Sequence, residues 1–247
     1  MASEREQAIK EAKAIFEKDF VVLDTETTGL DENAEIVEIA ILDKDGKALL
    51  DTLVKPKNKI PAQASDIHGI TNRDVKDAPS WGDIYSVFRE VIKNKTVVIY
   101  NSKYDNRIIK QTCSLYGLPN PRRKSECAML LYANYRNSTN NYTGNAKWHK
   151  LTEALDQCGI PKSVAHRARG DCEMTLNLLR FMAGGYDGPI VDTDLNDQKN
   201  KRNRINEKIV SHDEVKTLYH FLVGMVVAIL GVAFKATLSI IKGIAKK

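Results

Sequence analysis

The sequence predicts a mixed α/β fold, a sheet flanked by helices, followed by a separate C-terminal hydrophobic helix. Three observations predict it. Short β-rich apolar runs crowd the chain just after Asp19; strands then alternate with helically spaced segments from Gly82 onward; and residues 218–234 (LYHFLVGMVVAILGVAF) carry no ionised side chain unless His220 is protonated.

The elements follow in order. Residues 1–18 mix charges with Ala, Ile and Phe and lack the unbroken apolar core of a signal peptide, so a short helix and a cytoplasmic N-terminus are expected. FVVLD is a strand; EIVEIAILD and KALLDTLVK are two more, joined by a turn at DKDG. Ile84, Val87, Phe88 and Val91 repeat at helical spacing over residues 82–92, and TVVIYN after them is a buried strand with an abrupt polar end. A helix over residues 104–116 closes at Gly117, with Pro119 beyond. The Asn-, Arg- and Tyr-rich stretch from Pro119 to Lys147 reads as a loop facing a ligand. Helices over 150–158 and 170–182 complete a domain of residues 19–183. A polar, basic linker (184–210) and the hydrophobic segment (211–247) follow.

Bulk properties narrow the function. A chain of 247 residues, 43% hydrophobic, can bury one full core with appendages. A net charge of +5 suits a polyanionic partner, although much of the excess lies near the C-terminus. Cys113, Cys127, Cys158 and Cys172 form no C-x-x-C pair, which argues against a zinc knuckle or redox motif and for a reducing compartment.

The chemistry is concentrated in three motifs. In DTETTG, Asp24 and Glu26 are two apart on a strand and so share a face, while Thr25 points to the other and Gly29 permits a tight turn. Two carboxylates at an apolar strand end call for a counter-ion, although a lone D-x-E is also common on solvated hairpins. In NSKYD, Asp105 follows the strand TVVIY at a helix start, where strand ends in α/β sheets open onto a crevice. Taken singly it is also an ordinary first-turn acid, and Asn101 a turn residue. In AHRARGD, His166 and Asp171 are five apart, which puts His166 on a loop and Asp171 in the first turn of the next helix. Together they offer hard oxygen ligands for divalent cations and a base that titrates near neutral pH.

In order, spacing and context these motifs resemble the histidine-bearing branch of the DEDD exonuclease superfamily, which includes the epsilon proofreading subunit, RNase T and oligoribonuclease. The resemblance runs from Phe20 to Met182 and implies an RNase H-like fold. It also implies a two-metal phosphodiester hydrolysis that releases nucleoside 5′-monophosphates from a 3′ end. Asp24, Glu26, Asp105 and Asp171 would hold a pair of Mg²⁺ or Mn²⁺ ions, and His166 would be the general base. IHGIT (Ile67 to Thr71) resembles a family segment beside the terminal nucleotide, so His68, Gly69 and Ile70 are expected substrate contacts, along with Thr25, Thr27, Asn101 and Tyr104. On residue chemistry alone, Ile67 and Ile70 are core and His68 a turn residue. KWHKL (Lys147 to Leu151) resembles a stretch of some bacterial and phage members. Arg169 departs from the pattern, since many relatives are apolar there, and SECAM (Ser125 to Met129) matches only loosely. The partner implied is DNA or RNA with a 3′ end. A non-catalytic adaptor for such ends is the alternative from another class.

Residues 218–234 would span about 25 Å as a helix, slightly short of a hydrocarbon core of about 30 Å. Adding Ala236 to Ile241 lengthens it but takes in Lys235. A membrane anchor within Leu218 to Ile244 is expected, with the basic KNKRNR (Lys199 to Arg204) at anionic headgroups. Gly224, Ala228 and Gly231 lie close to one face and would allow self-association. A partner-binding helix, for example one docking a proofreading subunit on a polymerase, is the alternative.

Overall fold

The central strand β1 (Phe20–Thr27) decides where the chemistry lies. In a computed structural model, which describes residues 3–137, 147–163 and 165–189, β1 pairs antiparallel with β2 (Ile36–Asp43) and parallel with β4 (Thr96–Ile99). β3 (Ala48–Leu53) and β5 (Lys124–Cys127) complete a five-stranded sheet of order β3-β2-β1-β4-β5. The last pair joining β1 to β4 is Val22 with Val98, so β1 runs on past that pairing and carries Asp24 to Thr27 along β2 alone.

Strand alternation sorts side chains between two cores. Phe20, Val22, Ala40 and Leu42 face a layer made by α1 (Glu4–Phe16), α5 (Ala128–Arg136), α6 (Leu151–Cys158) and α7 (Ala168–Ala183). Val21, Leu23, Ile39 and Ile41 face α3 (Trp81–Ile92) and α4 (Ser102–Leu115), where Trp81 and Phe88 are fully buried with ring centroids 5.0 Å apart. A small third cluster gathers Val37, Ile60, Ala64, Ile70 and Val75 around α2 (Ala62–His68). The expected mixed sheet flanked by helices is therefore present.

Ser3 caps α1 and Ser80 caps α3, each through a capping box with the acid three residues on (Glu6, Asp83). α1 buries Ala8, Ala12 and Ile15 against the same core as α5 and α7, so the N-terminal helix is built into the domain.

One expectation needs correction. The stretch after Pro119, read as a loop, contains β5 and α5. β5 is a four-residue edge strand of mixed polarity (KSEC) with no apolar alternation to betray it. α5 buries Leu131 and Tyr132 among polar neighbours such as Asn134 and Arg136. The seven-residue α2 was also not anticipated. Residues 138–146 and the expected anchor at 218–244 lie outside the described residues. Among those described, no helix is long and apolar enough to cross a membrane.

Candidate active site

Asp24 and Glu26 leave β1 on the face that meets α7, as their even spacing with Phe20 and Val22 requires. Asp171, in the first turn of α7, comes down onto the same face. One carboxylate oxygen from each of the three lies within 4.8 Å of the others. The loop position expected for His166 and the first-turn position expected for Asp171 both hold. Asp105 is not one of these three; it approaches from the other side of the sheet, near enough for its charge to act on Asp24. Thr25 points to that opposite face, and its hydroxyl donates to Asp105 Oδ1 at 2.7 Å. Thr25, expected at the substrate, is thus buried and committed to orienting a carboxylate.

The electrostatics are those of a site short of positive charge. Burial is the largest influence on all four acids, and their mutual repulsion adds to it for Asp24 and Glu26. Asp24 is pushed well above the ordinary carboxylate range, Glu26 to about 8, Asp105 to about 7 and Asp171 to about 6. Thr25 opposes the shift at Asp105, and His166 opposes it at Asp171 through its charge and a backbone hydrogen bond. Among the described residues, no Lys or Arg forms an ion pair with any of the four. Asp171 Oδ1 is buried without a hydrogen-bond partner. Hard oxygen donors, crowded and uncompensated, fit divalent cations of the Mg²⁺ or Mn²⁺ kind.

His166 is exposed on the loop before α7, in a left-handed conformation with φ of +60°. A non-glycine residue adopts this only when its surroundings hold it there. Those surroundings centre on Glu38 of β2, directly opposite Glu26 and almost fully buried at 4% exposure. Its carboxylate accepts from Arg167 Nε and Nη2 and from the backbone N–H of Ala168. The sequence reading passed over Glu38. The signal was a single acid inside the apolar run IVEIAILD, in phase with the face that β2 turns toward α7. Glu35, just before that strand, was missed as well. It is 1% exposed and accepts from the backbone N–H groups of Lys57 and Asn58 and from Asn58 Nδ2.

The expected substrate contacts divide. Ile70 N–H donates to His68 Nδ1, which leaves the His68 proton on Nε2, where it reaches the carbonyl of Thr27. Burial lowers the pKa of His68, consistent with a neutral ring clamping α2 to the end of β1. The Gly69 N–H is taken by Ser65 O, so the backbone donors of Gly69 and Ile70 are both engaged inside the protein. Ile70 is core but Ile67 is 62% exposed. The hydroxyls of Thr27 and Tyr104 lie 2.7 Å apart and both are within hydrogen-bond reach of the Gly29 carbonyl, so one donates to Gly29 and the other donates either to Gly29 or to its neighbour. These bonds fix the turn after the motif and leave Leu30 projecting at 80% exposure. Asn101 is exposed and makes no side-chain cap to α4. Arg169, the departure noted in the sequence, bridges Asp51 of β3 and Glu173 of α7 on the surface.

Three comparisons bear on this geometry. The family model RNase_T, described as Exonuclease, matches residues 21–179. The chain is 46% identical over 181 residues to the uncharacterized exonuclease CP81 of Escherichia phage 186, covering 70% of this chain and 93% of that one. It is 36% identical over 105 residues to the DNA polymerase III epsilon subunit of Buchnera aphidicola, an alignment that covers 38% of this chain and 45% of that subunit. In fold, it is similar to the nuclease domain of 3′hExo, a DEDDh family member solved bound to rAMP, with a TM-score of 0.55 and 17% identity over 71% of this chain and 97% of that domain.

Proposed function

The chain belongs to the RNase T exonuclease family, and on that premise we propose that it is a metal-dependent 3′–5′ exonuclease releasing nucleoside 5′-monophosphates from DNA or RNA. The observation that carries the proposal is the convergence of Asp24, Glu26 and Asp171, with no Lys or Arg ion-paired to them among the described residues, beside a histidine held on a strained loop. Asp24, Glu26, Asp105 and Asp171 are assigned as the residues that hold two Mg²⁺ or Mn²⁺ ions. Such ions supply charge stabilisation of the phosphoryl oxygens and of the departing 3′ oxygen. The protein's own part is to keep the four carboxylates desolvated and oriented, with Thr25 fixing Asp105. It also presents the His166 imidazole, as general base, to the water that attacks phosphorus. Asn101 and Tyr104, at the start of α4, are assigned to the terminal nucleotide.

The segments proposed are an N-terminal helix (1–18) packed on the exonuclease domain (19–183), a linker (184–210) and a hydrophobic segment (211–247), the last a membrane anchor on the strength of its apolar run. Similarity to a polymerase subunit favours one other reading for that segment, docking onto a polymerase. Flotation of the full chain with anionic vesicles at low and high salt separates the two. Co-migration supports the anchor, and a protein that stays in solution without detergent supports docking.

The activity is tested with the full chain, Mg²⁺ and 5′-labelled single strands of DNA and RNA of one sequence. A ladder shortening from the 3′ end, slowed to a low residual rate in His166→Ala, is expected. Absence of shortening on both strands, with Mn²⁺ and with duplex ends as well, would leave the non-catalytic adaptor as the better reading.

A further inference from the structure

We propose that Glu38 is a positioning residue, which through Arg167 holds His166 in the conformation that turnover requires. The inference rests on the assignment of His166 as general base. Its own support is geometric. Glu38 spends both carboxylate oxygens on the segment immediately after His166. Arg167 Nε lies 3.0 and 3.1 Å from the two oxygens, Arg167 Nη2 lies 2.5 Å from Oε1, and the Ala168 N–H lies 2.9 Å from Oε2. The contact ties residues about 130 apart in sequence, and it does so at the strand position paired with Glu26. One carboxylate therefore fastens the loop and the first residue of α7 to the strand that lies against β1.

Two further features point to positioning rather than bulk stability. First, His166 sits at φ of +60°, a conformation that relaxes unless the residues on its C-terminal side are fixed. Second, the pair joins a buried carboxylate to a guanidinium that is about half exposed, so it reaches from the sheet out to the loop rather than filling the core. A guanidinium fork on a carboxylate does, however, define direction in a way that a lysine cannot. Glu38 is also no spare metal ligand, since it lies outside the group formed by Asp24, Glu26 and Asp171 and both its oxygens are taken.

The test combines single-turnover kinetics with hydrogen exchange on the full chain. Glu38→Ala and Arg167→Ala are each expected to slow turnover about 10–100-fold, the usual cost of losing an orienting partner. KM should stay within about twofold, and the double variant should be no slower than the worse single one. Glu38→Gln, which keeps an oxygen for Arg167, should fall between wild type and Glu38→Ala. Exchange should quicken in peptides covering residues 165–168 while those of α3 stay unchanged, a readout independent of catalysis. In a His166→Ala background, adding Glu38→Ala should cost no more than about twofold. The proposal is overturned if that loss persists in full without His166, or if exchange rises throughout the protein. It also fails if Glu38→Ala turns over at the wild-type rate. Should His166→Ala alone leave turnover intact, the general-base assignment fails instead, and the exchange at 165–168 still decides whether Glu38 holds the loop.

Discussion

Thr25 shows how a residue between two clustered acids acquires a task of its own. Alternation along β1 sends it away from Asp24 and Glu26, straight to Asp105 on α4. Its hydroxyl donates to a buried carboxylate, a charge-assisted bond that favours the ionised form and so partly offsets desolvation. Replacing Thr25 by Val removes the donor at nearly constant shape. The Mn²⁺ concentration for half-maximal activity is expected to rise about 10–100-fold, with Thr25→Ser restoring most of the loss. An unchanged metal dependence in Thr25→Val would show that Asp105 needs no such support. The sequence made the four acids and His166 legible because their types and spacing are restrictive. It hid Glu38, because a single acid in an apolar strand reads as a pattern break until the facing segment is known, and Glu35, which lies just before that strand and is buried by the distant residues 57 and 58. His68, expected at the substrate from the family resemblance, has both ring nitrogens engaged by the backbone.

At the scale of elements, β1, β2 and β4 were legible as short apolar, β-rich runs that are buried along most of their length, and α3 by its helical spacing. α7 was legible down to the placement of Asp171 in its first turn. β5 and α2 were not. A four-residue edge strand and a seven-residue helix bury too few side chains for periodicity to emerge, and their positions are fixed by neighbours distant in sequence. α5 could have been found from Ala128, Leu131 and Tyr132, which share one helical face, had the polar composition around them been given less weight. The arrangement has a functional consequence. α4 and α7 approach β1 from opposite sides of the sheet, so the fold itself brings acids from three distant segments to one strand end.

For the molecule as a whole, the acid cluster makes metal-free stability depend on pH in an unusual direction. Glu26, Asp105 and Asp171 titrate in the folded state at about 8, 7 and 6, and Asp24 is also raised, whereas in the unfolded chain all lie near 4. Between these limits the folded state binds more protons than the unfolded one, so stability falls as pH rises. The metal-free protein should melt at a lower temperature at pH 8 than at pH 5, and Mg²⁺ or Mn²⁺ should raise the melting temperature far more at pH 8. Glu26→Gln should flatten the dependence and stabilise the metal-free protein at pH 8 by about 0.5–2 kcal/mol, the gain typical of relieving a site strained for function. A melting temperature that rises from pH 5 to pH 8 without metal would show that the carboxylates are compensated in some other way.

The central claim is that these carboxylates form a hydrolytic centre acting on a nucleic acid 3′ end. Its most direct test is chromatographic measurement of nucleoside 5′-monophosphate released from a single-stranded oligonucleotide at saturating Mg²⁺, by the wild type and by Asp24→Asn. Steady release by the wild type, lowered at least about a thousandfold in Asp24→Asn, is the predicted result, in keeping with the loss of a principal catalytic group. Equal release by both proteins, or none by either, would contradict it.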